Sequence, residues 1–317
     1  MQKIEKITLS TNFPIGPVNV YLLYGKKITL IDAGVKTKQA WKELNEGLHK
    51  MGLTIFEIEQ IVITHHHDDH IGLLEWILEI ISVPVYAHKN TQTYLQDEDY
   101  MYWSHIFFKN LLYEFGLSNK AAREWSFLKS KRELLTNLRV TKELKEGDVI
   151  PNLPEWRIIE TQGHSQDHIS LYCAKDRILI CGDHVIDDIH VGLFLDAPFP
   201  GEKRAKPLLQ YINNLKKCLS FPVEITYSGH GTDIYDLESI VNAQLRRTEK
   251  RATRLKNTLS KGEKTGLDII KDMYPDRYEN LIVTFVLEIT SLLDLLIERN
   301  EVIAKKRNGI YLYRLIE

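Results

Sequence analysis

Hydrophobic and polar positions along the first 90 residues follow two different periods. Short apolar runs rich in Val, Ile and Leu predict buried β-strands. Between them, residues 37–51 and 72–81 place apolar side chains on one helical face, which predicts amphipathic helices. The resulting order, β-β-β-α-β-α-β, indicates a layered α/β fold with helices outside a sheet. The predicted strands are residues 3–9, 18–24, 28–31, 61–64 and 83–88.

Residues 89–145 break this pattern, because aromatic residues are scattered there among charged ones. The segment reads as two or three helices inserted into the α/β domain. One interpretation is an amphipathic insertion that packs on itself. The other is a lid with an apolar mouth over a site, since aromatic side chains line many small-molecule pockets. The aromatic residues are Tyr94, Tyr100, Tyr102, Trp103, Phe107, Phe108, Tyr113, Phe115, Trp125 and Phe127.

Strand patterns return after the insertion and end before residue 240. They lie at residues 149–150, 156–160, 169–173, 177–181 and 223–227, with a helix predicted at 208–219. These residues complete a first domain, predicted to span residues 1–240.

The last 77 residues, 241–317, have a different order of elements. Three helices are predicted, at 239–260, 267–273 and 280–299, followed by a hairpin whose turn contains Asn308-Gly309. Asn-Gly is a strong signal for a two-residue hairpin turn. Three helices followed by a hairpin is the order of a winged-helix unit, so residues 241–317 are predicted to form a small winged-helix-like domain.

Composition excludes several classes of protein. The chain has 317 residues, is 44% hydrophobic and carries a formal net charge of −2, which is typical of a globular protein and gives no broad basic surface. Its three cysteines form no paired spacing, which argues against a secreted disulfide framework. Neither a signal peptide nor a membrane span is recognisable. We therefore expect a cytoplasmic protein without a membrane partner.

The candidate chemistry is concentrated in Thr64-His65-His66-His67-Asp68-Asp69-His70, where four histidines and two aspartates lie between a predicted strand and a helix. Imidazole and carboxylate are ligands that zinc and similar divalent ions accept. Other candidates also follow predicted strands, and loops at strand ends are where sites occur in layered α/β folds. They are Asp32, His164, Asp183 and His230.

The motif His-x-His-x-Asp-His, followed in order by Gly-His, Gly-Asp and Gly-His-Gly, resembles the metallo-β-lactamase superfamily over residues 1–240. The resemblance implies an αββα sandwich with the site at one edge. It also implies that Asp183 bridges two ions and that Asp32 steadies the first histidine cluster from behind. The implied ligands of the first ion are His65, His67 and His164, and those of the second are Asp69, His70 and His230.

Spacing agrees with part of this assignment. On extended backbone, His65 and His67 are two apart, so their side chains point the same way. His66 and Asp68 then point the other way and are not expected to be ligands. His168 and His184 flank ligand positions, where they either support the ligands or contact substrate, or simply pack. The remaining histidines are expected to be non-ligands: His49, His88, His105 and His190.

The resemblance implies a metal-dependent hydrolase with two divalent ions, zinc by default and iron or manganese as alternatives. Two ions that share a water lower its pKa, which yields a metal-bridging hydroxide as the nucleophile. Asp69 is expected to act in catalysis as well as binding. Because Asp69 and Asp183 are both present, a hydrolase is favoured over the one-metal dioxygenases of the family. A β-lactamase that uses a cysteine ligand is also disfavoured, because Asp183 holds the bridging position and Cys181 lies two residues earlier on the predicted strand.

The substrate predicted from this pattern is a small ester, thioester or lactone, that is, a small-molecule acyl compound. A metal-dependent ribonuclease is the alternative, with the winged helix and the basic helix 244–258 binding nucleic acid; the near-neutral net charge argues against it. A non-enzymatic binding protein is a third interpretation, which the complete ligand set disfavours. The oligomeric state is left open, with a dimer as one alternative.

Overall fold

The computed structural model describes residues 3–117, 139–199 and 201–316. Over this part of the chain the residues fall into two compact units. The first contains residues 3–97, 139–192 and 213–241. The second contains residues 98–117, 193–199, 201–212 and 242–316. The predicted domain boundary at residue 240 stays a prediction.

A six-stranded sheet forms the centre of the first unit. Its strands follow chain order across the sheet, antiparallel from β1 to β3 and parallel from β3 to β6. The last of them lies inside the segment predicted as a helical insertion, so that insertion ends before residue 142. The strands are β1 (Ile4–Leu9), β2 (Val18–Tyr24), β3 (Ile28–Ile31), β4 (Gln60–Val62), β5 (Val85–His88) and β6 (Lys142–Leu144).

A second, five-stranded sheet has the order β11-β10-β9-β8-β7. Neighbouring strands are antiparallel except β10 and β11, which are parallel. Every strand predicted in this part of the chain is present. The strands are β7 (Val149–Ile150), β8 (Leu153–Glu160), β9 (Ile169–Cys173), β10 (Ile178–Gly182) and β11 (Ile225–Ser228).

Helices of the first unit follow strands of the six-stranded sheet. The helix α1 (Lys38–Lys50) begins where the Thr37 side chain accepts a hydrogen bond from the Ala40 backbone N–H, a standard N-cap. Two short helices, α2 (Asp68–Ile71) and α3 (Leu74–Ile80), replace the single helix predicted at 72–81. A further helix, α4 (Lys89–Gln96), follows β5 directly.

Two apolar layers cover both faces of the six-stranded sheet, which explains why its strands read as continuous apolar runs. One layer contains side chains of both sheets, including Leu23, Val62, Trp156 and Leu171. The other contains side chains of the first sheet together with those of α1 and α3. The mixed α/β architecture predicted from the sequence is therefore confirmed.

The second unit is mainly helical. Its three-stranded antiparallel sheet has the order β12-β14-β13, and the Asn308-Gly309 turn has the positive φ angles (51° and 83°) that favour this dipeptide. Assignment of this part as a winged helix stays a prediction. Its elements are α5 (Glu98–Glu114), β12 (Lys264–Thr265), α8 (Gly266–Met273), α9 (Ile282–Glu298), β13 (Val302–Arg307) and β14 (Ile310–Leu315).

Two helices have residues in both units: α6 (Pro207–Cys218) and α7 (Leu237–Leu259). The aromatic residues Trp125 and Phe127 of the predicted insertion lie outside the described residues. Over the described ranges, no helix is both long enough and apolar enough to cross a bilayer.

Candidate metal centre

Three histidines from two loops converge in the first unit. The loop after β4 supplies His65 and His67, and the loop between β8 and β9 supplies His164. The facing ring nitrogens lie 3.0 Å apart for His65 Nε2 and His67 Nδ1, and 2.8 Å apart for His67 Nδ1 and His164 Nε2. The third separation, between His65 Nε2 and His164 Nε2, is 3.2 Å. These side chains form the triple-histidine group.

Hydrogen bonds on the opposite side of two rings indicate their tautomers. The Nδ1–H of His164 donates to the Gly192 carbonyl at 2.6 Å. Thr64 Oγ1 lies 2.8 Å from the Asp32 carboxylate, to which it donates, so it can accept from His65 Nδ1–H at 3.0 Å. The Nε2 lone pairs of His65 and His164 therefore point at the same place. A cation placed between them removes the repulsion of these lone pairs.

A second set of side chains, the mixed group, consists of Asp69, His70 and His230. Asp69 and His70 lie in α2, and His230 follows β11. His230 Nε2 lies 3.3 Å from Asp69 Oδ2. On the far side of each ring, His70 Nδ1–H donates to Asp32 at 2.8 Å and His230 Nδ1–H donates to the Pro17 carbonyl at 2.8 Å. Both Nε2 lone pairs of this group thus also face inward.

Asp183, at the end of β10, lies between the two groups. Its Oδ1 is 3.3 Å from His70 Nε2, and its Oδ2 is 3.6 Å from His164 Nε2 and 3.5 Å from His230 Nε2. All seven predicted ligand residues are thus brought together. Combinations of them place one nitrogen or oxygen per residue within 4.8 Å of one another.

The donor atoms themselves fit divalent ions. Three buried atoms of the centre, namely His70 Nε2, His230 Nε2 and Asp183 Oδ1, have no hydrogen-bond partner among the residues that the structure describes. A buried polar atom without a partner is costly unless something binds it. Neutral imidazole nitrogens and carboxylate oxygens are the donors that zinc, iron and manganese use.

The pKa values of the centre divide along the same groups. Burial lowers the pKa of His65, His67 and His164, which favours the neutral, metal-binding imidazole. Burial opposes charge on His230 too, yet the facing carboxylates of Asp183 and Asp69 raise its pKa to about 9. Burial also opposes charge on His70, but the carboxylates of Asp183, Asp32 and Asp69 raise its pKa. Protons thus occupy, in the ion-free protein, positions suited to a cation.

Two glycines allow this close approach. At Gly229 a Cβ atom would overlap Asp183 Oδ1, and at Gly182 it would lie 2.9 Å from both His168 Nε2 and Thr64 Oγ1. Gly182 also has a positive φ of 47°, which disfavours other residues. Gly182 of the Gly-Asp motif and Gly229, the first glycine of Gly-His-Gly, are thus required by packing around the predicted ligands.

The residues predicted to support the ligands lie beside them. Asp32 accepts hydrogen bonds from the Thr64 backbone N–H at 2.7 Å and from His70. Its backbone φ is 59°, in the left-handed region that few residues other than glycine adopt. His168 Nε2 accepts from the Asp183 backbone N–H at 3.1 Å. His184 is buried, with its ring centroid 6.1 Å from that of His168. Burial lowers the pKa of His184 to about 3.

The four histidines predicted to be non-ligands lie outside the groups that could hold an ion, as far as the described residues show. His49 and His190 are exposed. His88 caps α4, and its Nε2 lies 3.4 Å from Glu160. That these four histidines bind no ion stays a prediction.

Two residues that the sequence analysis missed contact this region. Asp167 lies 2.8 Å from His66 Nδ1, across 101 positions of sequence. The Asn19 amide donates to the carbonyls of Ser228 and Gly231, which flank His230. Neither residue belongs to the recognised motif. Asp167 lies three positions after His164, but its contact with His66 and the contacts of Asn19 join distant segments that no motif spacing relates.

Comparison with known proteins gives matches over most of the chain. The sequence profile of the Metallo-beta-lactamase superfamily matches residues 14–230. The probable metallo-hydrolase YqjP of Bacillus subtilis is 30% identical over 313 residues, covering 98% of this chain and 97% of that protein. The probable metallo-hydrolase YflN of the same organism is 34% identical over 157 residues, covering 50% of this chain and 55% of that protein.

Two solved structures share the fold. A metallo-beta-lactamase family protein of Thermus thermophilus superposes with a TM-score of 0.79 at 22% identity, covering 99% of this chain and 98% of its own. A beta-lactamase domain protein of Burkholderia ambifaria gives a TM-score of 0.77 at 19% identity, covering 99% and 92% of the two chains.

Proposed function

Because the chain belongs to the metallo-beta-lactamase superfamily, we propose that it is a two-ion hydrolase that cleaves a small ester, thioester or lactone. The observation that carries the proposal is the arrangement of the seven side chains. The triple-histidine group and the mixed group each offer three donors, and Asp183 lies within 3.6 Å of histidines from both. A complete pair of groups supports two ions rather than one.

Divalent ions bound in such a centre supply acidified water and polarise an acyl or phosphoryl oxygen. The chain's residues then determine orientation and proton transfer. Of the two aspartates in the centre, Asp69 has the more exposed side chain, at 12%, whereas the Asp183 side chain is 4% exposed. We assign to the Asp69 carboxylate the role of accepting the proton of the attacking water, since substrate and water reach the accessible side.

Hydrogen bonds on the far side of three ligand rings support the same proposal. His164, His70 and His230 each donate their Nδ1–H to a carbonyl or carboxylate of the protein. Rings held in this way keep their Nε2 lone pair directed at the ion without reorganisation during the reaction. Zinc is our proposed ion, with iron and manganese as the alternatives that this donor set accepts.

The ribonuclease alternative receives less support from the second unit. Several basic side chains around α7 form ion pairs within that unit rather than presenting free charge. Arg251 pairs with Glu288, Lys256 with Glu301, and Arg299 with Glu249. Nucleic-acid affinity depends on cations available to phosphates, so this pairing favours a small acyl substrate.

A direct test combines metal analysis with a substrate panel. The purified protein should contain two equivalents of a divalent ion and hydrolyse at least one of a set of aryl esters, acyl thioesters and lactones, but not single-stranded RNA. His65→Ala and Asp69→Ala should abolish the activity while the far-UV circular dichroism spectrum is retained.

His49→Ala is the matched control, because it removes an exposed histidine outside the centre. It should leave both activity and metal content unchanged. A protein without bound metal, or ligand variants as active as the wild type, would contradict the proposal. Cleavage of RNA alone would instead establish the ribonuclease alternative.

A further inference from the structure

A buried polar network adjoins the loops that carry His65, His67 and His164. We define the Asp167 network as His66, Thr91, Ser165 and Asp167, all of which are buried. Asp167 Oδ1 lies 2.8 Å from His66 Nδ1 and accepts from Ser165 Oγ at 2.8 Å. Asp167 Oδ2 accepts from Thr91 Oγ1 at 2.8 Å. Both carboxylate oxygens are thus hydrogen-bonded.

The network connects the two loops that supply the triple-histidine group. His66 lies between His65 and His67 in one loop, and Ser165 directly follows His164 in the other. Thr91 adds a third attachment, from α4. The ring of Tyr94, also in α4, packs against His66 with a centroid separation of 4.8 Å. A single carboxylate therefore fixes the separation of the loops whose three histidine nitrogens converge.

The mixed group has a different set of supports. Asp32 holds His70, and the Pro17 carbonyl holds His230. None of the hydrogen bonds of the Asp167 network, as far as the described residues show, involves Asp69, His70 or His230. Loss of the network should therefore affect one ion and spare the other.

From this geometry we infer that Asp167 is a positioning residue that selectively controls binding of the ion at the triple-histidine group, acting through His66 and Ser165. The inference rests on the proposed two-ion centre. Partners that orient metal ligands typically contribute about 10-fold to 100-fold in metal affinity. A carboxylate that supports a whole loop pair should act within that range, on one ion only.

The test measures Zn²⁺ affinity by competition with a chromophoric chelator, so it needs no substrate. In a His230→Ala background, Zn²⁺ binding at the mixed group is weakened, so the measured affinity is that of the triple-histidine group. In a His164→Ala background, the measured affinity is that of the mixed group. Adding Asp167→Asn should weaken Zn²⁺ binding about 10-fold to 100-fold in the first background and leave it unchanged in the second.

His66→Phe is the second variant, since it keeps an aromatic ring against Tyr94 but cannot hydrogen-bond Asp167. It should weaken the same ion, and the double variant should be no weaker than Asp167→Asn alone, because both residues act as one unit. Asp294→Asn is the matched control. It neutralises a buried aspartate that pairs with Arg204 inside the second unit.

Wild-type affinity of the triple-histidine group in both variants overturns the inference. An equal loss at both ion sites also overturns it, since that indicates a general effect on folding. A wild-type protein that binds two Zn²⁺ ions without hydrolysing the substrate panel contradicts the proposed function but leaves this result interpretable.

Discussion

At the scale of single residues, a hydrogen bond to the outer ring nitrogen orients three of the predicted ligand histidines. His70 is held by a carboxylate, whereas His164 and His230 are held by backbone carbonyls. The tautomer therefore follows from the fold, and the lone pair points inward before any ion binds. Where carboxylates face that lone pair, as at His230, the ion-free protein binds a proton there instead.

Ion binding should therefore release protons. The pKa of His230 is raised to about 9, so near neutral pH the ion-free side chain is protonated and an incoming ion displaces that proton. Calorimetric titration with Zn²⁺ in buffers of different ionisation enthalpy measures the number released. We expect release near neutral pH that decreases as pH rises through about 9, where His230 loses its proton in the ion-free protein. A heat independent of the buffer would contradict this.

A second prediction concerns Gly229. Its replacement by alanine places a methyl group against Asp183 Oδ1 and His70. Overpacking of this kind costs about 1–3 kcal/mol in stability. Because it displaces two predicted ligands, Gly229→Ala should also lose metal, as measured by elemental analysis of the purified protein.

Gly231→Ala is the control, because it has more space around its Cβ position but a strained φ of 76°. It should destabilise the protein while retaining more metal than Gly229→Ala. Equal metal content in the two variants would show that the steric contact at Gly229 does not determine metal binding.

At the scale of elements, the ligand residues lie where strands end and short helices begin. The sequence predicts one helix from residue 72, but α2 already begins at Asp68 and is followed by a break before α3. The break lies at Gly72, where a Cβ atom would overlap the backbone of Lys36 and Val35. The early start places Asp69 in the first turn of a helix, where its negative charge is favourable.

Strand β2 also organises the turn that carries His230. Asn19, in β2, donates from Nδ2 to the Ser228 carbonyl at 3.1 Å and to the Gly231 carbonyl at 3.0 Å. Its backbone N–H donates to the Gly229 carbonyl at 2.7 Å. A strand far away in sequence thus fixes the turn that carries His230.

Asn19→Ala should therefore weaken the mixed group. It removes the side-chain donor to the Gly231 carbonyl and one of the two donors to the Ser228 carbonyl, which also accepts from the Tyr21 hydroxyl. The expected cost is about 1–3 kcal/mol, and the turn around His230 becomes less constrained. Urea denaturation and Zn²⁺ titration measure the two effects. Thr8→Val is the control, since Thr8 donates to Asn19 Oδ1 but not to the turn. If the control loses as much Zn²⁺ affinity as Asn19→Ala, the amide does not position His230.

At the scale of the whole molecule, the centre couples stability to metal and pH. Side chains from residues 65 to 230 converge in the first unit, so an ion that binds them stabilises the folded state over the unfolded chain. Without an ion, a histidine with a raised pKa stabilises the fold only while it is protonated.

After metal removal, the thermal stability of the protein should therefore depend on pH. His230 contributes fully below its unfolded pKa of about 6.5, and this contribution is lost as pH rises through its folded pKa of about 9. The histidines with lowered pKa values have the opposite effect, which is complete by about pH 7.5, because the unfolded chain has lost their protons there. Chelator-treated protein should therefore lose thermal stability from about pH 7.5 to about pH 9, and Zn²⁺ should restore it. A flat profile without metal would contradict the prediction.

Much of the fold could be predicted because it depends on local pattern. Apolar runs such as residues 18–24 and 169–173 are strands, and Asn308-Gly309 is a hairpin turn, because burial and turn geometry follow from a few neighbouring side chains. The strand at 142–144 was missed, since three residues with two exposed side chains give no apolar period. Only pairing with β5 makes this segment a strand.

For the centre, the sequence by itself determined which residue types are available and in what order, from His65-x-His67-x-Asp69-His70 to His230. Their inward-facing lone pairs, the position of Asp183 between two groups and the approach of Gly229 were decided by the tertiary structure. So were the contacts of His66 with Asp167 and of Asn19 with the turn at His230, which join positions 101 and more residues apart. Motif spacing reflects local backbone geometry, whereas hydrogen bonds between distant segments exist only once the sheets have brought the loops together.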